Sequence, residues 1–187
     1  QVVIRHIGGV AWPTLLLLVS AAATYASAAA YLLIEPTLSL WALTGIALCT
    51  YAIYTPLHDA VHGAVVGMSL ECRWINEWTG YVAAHFLGIS FTAHRRSHLK
   101  HHRSTNHPSE DPDMVLSADN ACQLVLAWLK GVPKEWLFAV SFEHFTDAEK
   151  VTVRREFIAI VLTRLTLLVF CADPVSYTHL RAHETNS

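Results

Sequence analysis

Charged residues are scarce in this sequence. Lys, Arg, Asp and Glu together make up 15% of its 187 residues, while hydrophobic residues make up 53%. Soluble domains usually carry about 25% charged residues, so the shortfall points toward lipid. Positive charge is not in surplus either: the net is -2, which removes any case for nucleic-acid binding. The cysteines, Cys49, Cys72, Cys122 and Cys171, form no CxxC pair. Neither a zinc ribbon nor a disulfide framework is indicated, and free thiols are expected. No internal repeat or low-complexity segment stands out, which sets aside a repeat architecture.

What the chain does have is long apolar runs. Residues 12–34, WPTLLLLVSAAATYASAAAYLLI, contain no charge and exceed the roughly 20 residues that a helix needs to cross a bilayer. Pro13 falls in the first turn, where a missing N–H costs little. The run stays apolar well past any plausible cleavage site, which argues against a signal peptide. Glu35-Pro36 predicts a tight turn, and a second uncharged run over 37–57 predicts a second span. The two make a transmembrane hairpin. Arg5 flanks the first run, and Arg73, Arg95, Arg96, Lys100 and Arg103 follow the second, while the turn between them has no Lys or Arg. By the positive-inside rule the region after the second span faces the cytoplasm.

Further along, WINEWTGYVAAHFLGISF (74–91) is apolar but interrupted by Asn76, Glu77 and His85. It reads as an interfacial or re-entrant segment with Trp74 and Trp78 at headgroup level. Residues 110–150 are more polar and predict cytoplasmic helices resting on the membrane. Residues 156–172 form a third candidate span, broken by Arg164, a costly residue at that depth. The expected fold class is therefore all-α: an integral membrane protein with a transmembrane hairpin and interfacial and cytoplasmic helices. The chain begins with Gln1, and residues 175–185, VSYTHLRAHET, match the translation of a transposase sequencing adapter. Residues 1–174 are accordingly expected to be part of a membrane domain cut before its last spans. Residues 175–187 are expected to be non-native, which removes His179 and His183 as ligands.

The histidines are concentrated in two places. His58 and His62 in HDAVH are four apart, and His98, His101 and His102 in HLKHH are three and four apart. At helical spacing each set shares one face. Imidazole suits zinc, copper, iron and nickel. Five such residues outnumber the ligands of one tetrahedral zinc, so a multinuclear site fits better. His94 lies one turn before His98 and offers a ligand or a supporting contact, against the plainer reading of an extra hydrogen-bonding histidine. Asp59 is placed to hold a ligating imidazole in one tautomer, or is simply an exposed helix-end carboxylate. Asp111, Asp113 and Asn106 are open between supporting the ligands and forming a solvated turn. His85, on an apolar segment, reads as a satisfied interfacial histidine, and His6 and His144 have no partner in the sequence; none of the three is expected to bind metal.

HDAVH and HRRSHLKHHRSTNHPSEDPD (94–113) resemble the first two histidine boxes of the integral-membrane fatty acid desaturase and hydroxylase superfamily. HDxxH, HxxHH, the following Thr-Asn and the DPD step occur together and in order. The resemblance implies a non-haem centre of two iron ions held by histidine alone, with His58, His62, His98, His101 and His102 as ligands. It also implies O2, an acyl-chain substrate in the bilayer, and an electron donor such as ferredoxin or cytochrome b5. O2-dependent desaturation of fatty acyl chains is the first expectation, and a carotenoid hydroxylase or ketolase of the same superfamily is the alternative. The sequence departs from the pattern twice. The third histidine box is absent, so the chain by itself is expected to be inactive, and His107 stands where many relatives have aspartate.

Two other classes compete. A membrane zinc hydrolase would read HDAVH as a variant of HExxH, but Asp59 has a shorter reach than Glu and HLKHH is left unexplained. A histidine-rich metal transporter would place polar groups inside its spans, and the two apolar runs hold no charged residue.

Overall fold

The structure, a computed structural model, describes residues 9–35, 39–67, 70–141, 143 and 145–184, with side chains as far as Val169 apart from Trp128. Among the described residues six α-helices follow one another: α1 (Trp12–Ile34), α2 (Leu40–Val61), α3 (Arg73–Leu87), α4 (Phe91–Arg103), α5 (Ala121–Ser141) and α6 (Asp147–Glu184). A short 3-10 turn, Met114–Leu116, precedes α5. No strand occurs among the described residues. The all-α class and the two apolar helices are those that the sequence predicts. Residues 36–38 of the expected turn, Arg5, His6 and His144 lie outside the described residues.

α1 and α2 pack along each other as a hairpin. Leu18 and Ala21 of α1 meet Cys49, Ile53 and Leu57 of α2, all buried. Both helices are long and apolar enough to cross a bilayer. Little of either is buried, and Leu16, Val19, Trp41 and Tyr51 are among the large apolar side chains that face outward. A core helix of a soluble protein hides such residues; here they lie on the surface, as they do on a helix that faces lipid. α2 starts and ends three and four residues later than the expected 37–57. Ser39 caps its first turn by accepting from the Ala42 N–H. At the other end the helix runs on through HDAV because Leu57, Ala60 and Val61 are buried there.

α3 closes the end of the hairpin. Its buried Asn76 donates through Nδ2 to the Ala60 carbonyl (2.9 Å) and accepts at Oδ1 from the Val65 N–H (3.3 Å). One amide thus gives the Ala60 carbonyl a second donor beside the Gly63 N–H (3.2 Å) and fixes the chain just beyond α2. The α3 helix stops at Gly88, whose φ of 74° is left-handed. There the Ile89 N–H returns to the Ala84 carbonyl, the six-to-one bond of a Schellman cap that glycine makes without steric cost. Arg164 of α6 donates to the neighbouring carbonyls of His85 and Phe86. The arginine that interrupts the third candidate span therefore has a fixed partner. α6 runs unbroken through 156–172 and on to Glu184.

α4 is anchored at its first turn. Ser90 accepts from the Ala93 N–H as N-cap. The Glu156 carboxylate of α6 accepts from the hydroxyls of Ser90 and Thr92 and from the Thr92 N–H. A carboxylate suits the positive end of a helix. The tip of the Phe91 ring fills the space that a Cβ on Gly80 of α3 would need, so α3 and α4 approach closely at the base of the histidine helix. Ala93, Ala139, Phe145 and Val153 form a second buried cluster joining α4, α5 and α6.

Candidate metal centre

Four imidazoles meet where α2 ends against α4. His58 and His62 lie one turn apart at the tip of α2, and His98 and His102 one turn apart on α4. One ligand nitrogen from each lies within 4.8 Å of the others. His98 is buried at the centre. Its Nε2 stands 3.1 Å from His62 Nε2 and 3.0 Å from His102 Nε2. His58 adds the fourth ring, 4.9 Å from His98 between centroids.

This convergence is unusual for uncharged imidazoles. A ring nitrogen either carries a proton or offers a lone pair. His98 Nε2 therefore donates to one neighbour or accepts from one, and it cannot satisfy two facing nitrogens well. A cation satisfies all the lone pairs at once. Nitrogens bound at about 2.1 Å to one ion stand roughly 3 to 3.4 Å apart, which is the spacing seen around His98. Burial, followed by the nearby His94, His58, His102 and His62, pushes the His98 imidazole down to about 4. Burial first and then His58 and His102 lower His62 as well. Both rings are thereby held in the neutral form that binds metal. The residues fit a cation.

His101, the fifth histidine of the two boxes, is turned differently. Its Nδ1 donates to Asp111 Oδ1 at 2.8 Å, which leaves Nε2 bare, and its ring lies 5.6 Å from that of His102. Asp111 is buried, and its other oxygen accepts from the Asn106 N–H while Oδ1 also accepts from the Asp113 N–H. Burial works to raise this carboxyl, but the bonds from His101, Asp113 and Asn106 outweigh it and bring it down to about 2. Asp113 Oδ2 stands 3.7 Å from His101 Nδ1, and its Oδ1 pairs with Lys134. Asn106 contributes its backbone, in a left-handed conformation with φ 62°. Asp59 accepts from the Thr14 hydroxyl at 2.8 Å and lies 3.9 Å from His58 Nδ1, beyond hydrogen-bond reach. It ties α2 to α1. His107 is exposed on the turn after α4.

Sequence spacing does not single out the carboxylates that hold α4 from other elements. Glu77 of α3 pairs with Arg95, Glu149 of α6 with Arg96 and Glu156 with the first turn. Glu135 of α5 is buried against His94, with Oε2 3.2 Å from Nδ1. Burial opposes its ionisation, yet His94 and Lys134 bring the Glu135 carboxyl down to about 2. None of these acids has a fixed interval from the histidines, and each becomes visible only through packing.

The fatty acid desaturase family model matches residues 35–182. The chain belongs to the fatty acid desaturase family. No curated protein and no solved structure matches it. The match spans α2 to α6 and includes both histidine clusters. Fatty acid desaturases are membrane-associated oxidoreductases that use lipid substrates, O2 and an electron donor, and iron is the metal the family implies. The four-histidine cluster is compatible with binding such a metal.

Proposed function

We propose that this chain carries the iron-holding part of a membrane enzyme that desaturates fatty acyl chains with O2. The observation that carries the reading is the meeting of His58, His62, His98 and His102 from two separate helices, in a chain that matches the desaturase family. These residues would hold iron. His101 joins them as a ligand through Nε2, because Asp111 occupies Nδ1, the outer arrangement that metal-binding histidines usually have. Two non-haem iron ions so held would supply the oxidising chemistry needed to take hydrogen from an unactivated C–H bond. The chain's own residues hold the imidazoles neutral, fix their tautomers and present them at the tip of an apolar hairpin. An acyl chain then reaches the site from the bilayer without crossing water.

The histidine end of the hairpin faces the cytoplasm in this reading, supported by the arginines and lysine that follow α2. An electron donor such as ferredoxin or cytochrome b5 meets the enzyme on that side. The test is metal analysis of the chain purified in detergent from iron-supplemented cells, with the His98→Ala variant as control. Iron bound to the parent and lost from the variant is expected. A protein that takes up zinc in place of iron, or no metal, overturns the reading. Binding of acyl lipid against carotenoid by the purified chain, a readout that needs no turnover, separates an acyl-chain site from a carotenoid site.

A further inference from the structure

His94 is the least explained residue near the centre. It is 5% exposed, and both of its ring nitrogens are buried without a hydrogen-bond partner, as is Glu135 Oε2. The two groups nevertheless face each other at 3.2 Å, an ion-pair distance without hydrogen-bond alignment. A buried polar atom left unsatisfied costs about 1–3 kcal/mol, so a purely structural histidine would be an expensive choice here. The ring is stacked on that of His98, one turn along α4, with centroids 5.6 Å apart and planes 27° apart. His94 thus extends the row of imidazoles that begins with His98 and His102.

Glu135 is held for this position from behind. Its Oε1 accepts from Lys134 Nζ at 2.7 Å, and the same ammonium reaches Asp113 Oδ1 at 2.6 Å. Asp113 in turn borders His101, beside Asp111. The adjacent Lys134 and Glu135 of α5 therefore brace both flanks of the histidine row, His94 on one side and His101 on the other. Around them the carboxylates of Asp111, Asp113 and Glu135 outnumber the single Lys134 ammonium, an imbalance that a nearby cation would offset. Arg95 and Arg96 are paired elsewhere, with Glu77 and Glu149.

We propose that Glu135 is a positioning residue that orients His94, through Nδ1, as a further metal-directed imidazole beside the four-histidine cluster. The proposal rests on the reading of that cluster as a metal centre. It adds a carboxylate–imidazole pair from α5 to ligands drawn from α2 and α4. In metal sites such pairs fix the ring's tautomer and raise its basicity, and their loss typically lowers metal affinity by about 10- to 100-fold.

The test uses the full chain in detergent, stripped with chelator and titrated with cobalt(II) chloride, whose visible spectrum reports the number and kind of ligands. His94→Ala and the near-isosteric Glu135→Gln are each expected to weaken cobalt binding by about 10- to 100-fold and to shift the visible bands. The double variant is expected to bind as His94→Ala does, because Glu135 acts only through that ring. If His94→Ala binds cobalt as the parent does, with the same spectrum, the proposal is overturned while the four-histidine centre stands. If the parent itself takes up no cobalt, the centre and the proposal fall together. Circular dichroism identifies any variant that fails to fold; Glu135→Asp then replaces Glu135→Gln, and His94→Asn replaces His94→Ala, in the same cycle, and a folded Glu135 variant that binds cobalt as the parent does overturns the proposal. Losses that add in the double variant show that Glu135 acts independently of His94, and that also overturns the proposal.

Discussion

The two helices that supply the imidazoles are held in contrasting ways. The tip of α2 is aimed by apolar packing: Leu57, Ala60 and Val61 are buried between and beside His58 and His62, and Asn76 fastens the backbone. α4 is strongly polar, and its buried residues include His94, Ser97 and His98. Carboxylates from α3, α5, α6 and the 106–113 turn hold it at five points, through Arg95, Arg96, His94, His101 and the first turn. A helix already locked in an apolar hairpin needs no charges to orient its end. A helix of FTAHRRSHLKHHR has too little apolar surface to fix its own rotation, and charges from its neighbours do that work.

The largest effect should come from the residue at which the two helices meet. His98→Ala is expected to lower cobalt(II) affinity by more than ~100-fold, beyond the loss typical of an outer partner. His107→Ala, on the exposed turn, is expected to leave affinity unchanged. Titration of the chelated protein followed by visible absorption measures both. Equal losses in the two variants would show that the shared nitrogen geometry around His98 does not define the site.

Next in size is the bond that sets the His101 tautomer. Asp111→Asn is expected to weaken cobalt binding by about 10- to 100-fold, with little change in helix content. The Asp111 carboxyl is held down at about 2. Its contribution is therefore complete above the ordinary carboxylate value and fades only as pH falls toward the folded one. Across the neutral range, parent stability should not follow this group. An Asp111→Asn protein with parental affinity would place His101 outside the metal's reach.

Stability should separate the helices as well. Glu156→Gln removes the charge at the start of α4 and leaves α2 untouched, so a cost of about 1–2 kcal/mol is expected, read from thermal unfolding in detergent. The hydroxyls of Ser90 and Thr92 keep a weaker acceptor, which bounds the loss. An unchanged melting temperature would mean that α4 is held by its apolar cluster with α5 and α6 alone.

The division also explains what was legible in the sequence. Apolar runs and histidine spacing are local patterns, so the hairpin, both histidine sets and the all-α class could be read directly. Asp111 and Asp113 were visible because they lie just beyond the histidine helix. Glu77, Glu135, Glu149 and Glu156 were not, since their relation to α4 arises only when α3, α5 and α6 fold around it. The apolar run of the second span stops at Leu57, while the histidine spacing already reads helix through HDAVH; burial of Leu57, Ala60 and Val61 carries α2 on to Val61. Asp59 was open in sequence between holding an imidazole and being a helix-end carboxylate; its contact with Thr14 across the hairpin could be seen in neither reading.

That last contact gives the smallest and most discriminating prediction. Thr14→Val keeps the side chain's shape and removes the hydroxyl that donates to Asp59. If apolar packing aims the tip of α2, losing this bond should cost about 1 kcal/mol of stability and leave cobalt affinity and spectrum at parental values. Asp59→Asn should behave alike, because the carboxylate lies 3.9 Å from His58 Nδ1 and forms no hydrogen bond with it. A fall in metal affinity in both variants would show that α1 controls the His58 ring through Asp59. α2 would then depend on a carboxylate as α4 does, and the contrast between the two helices would be one of number rather than of kind.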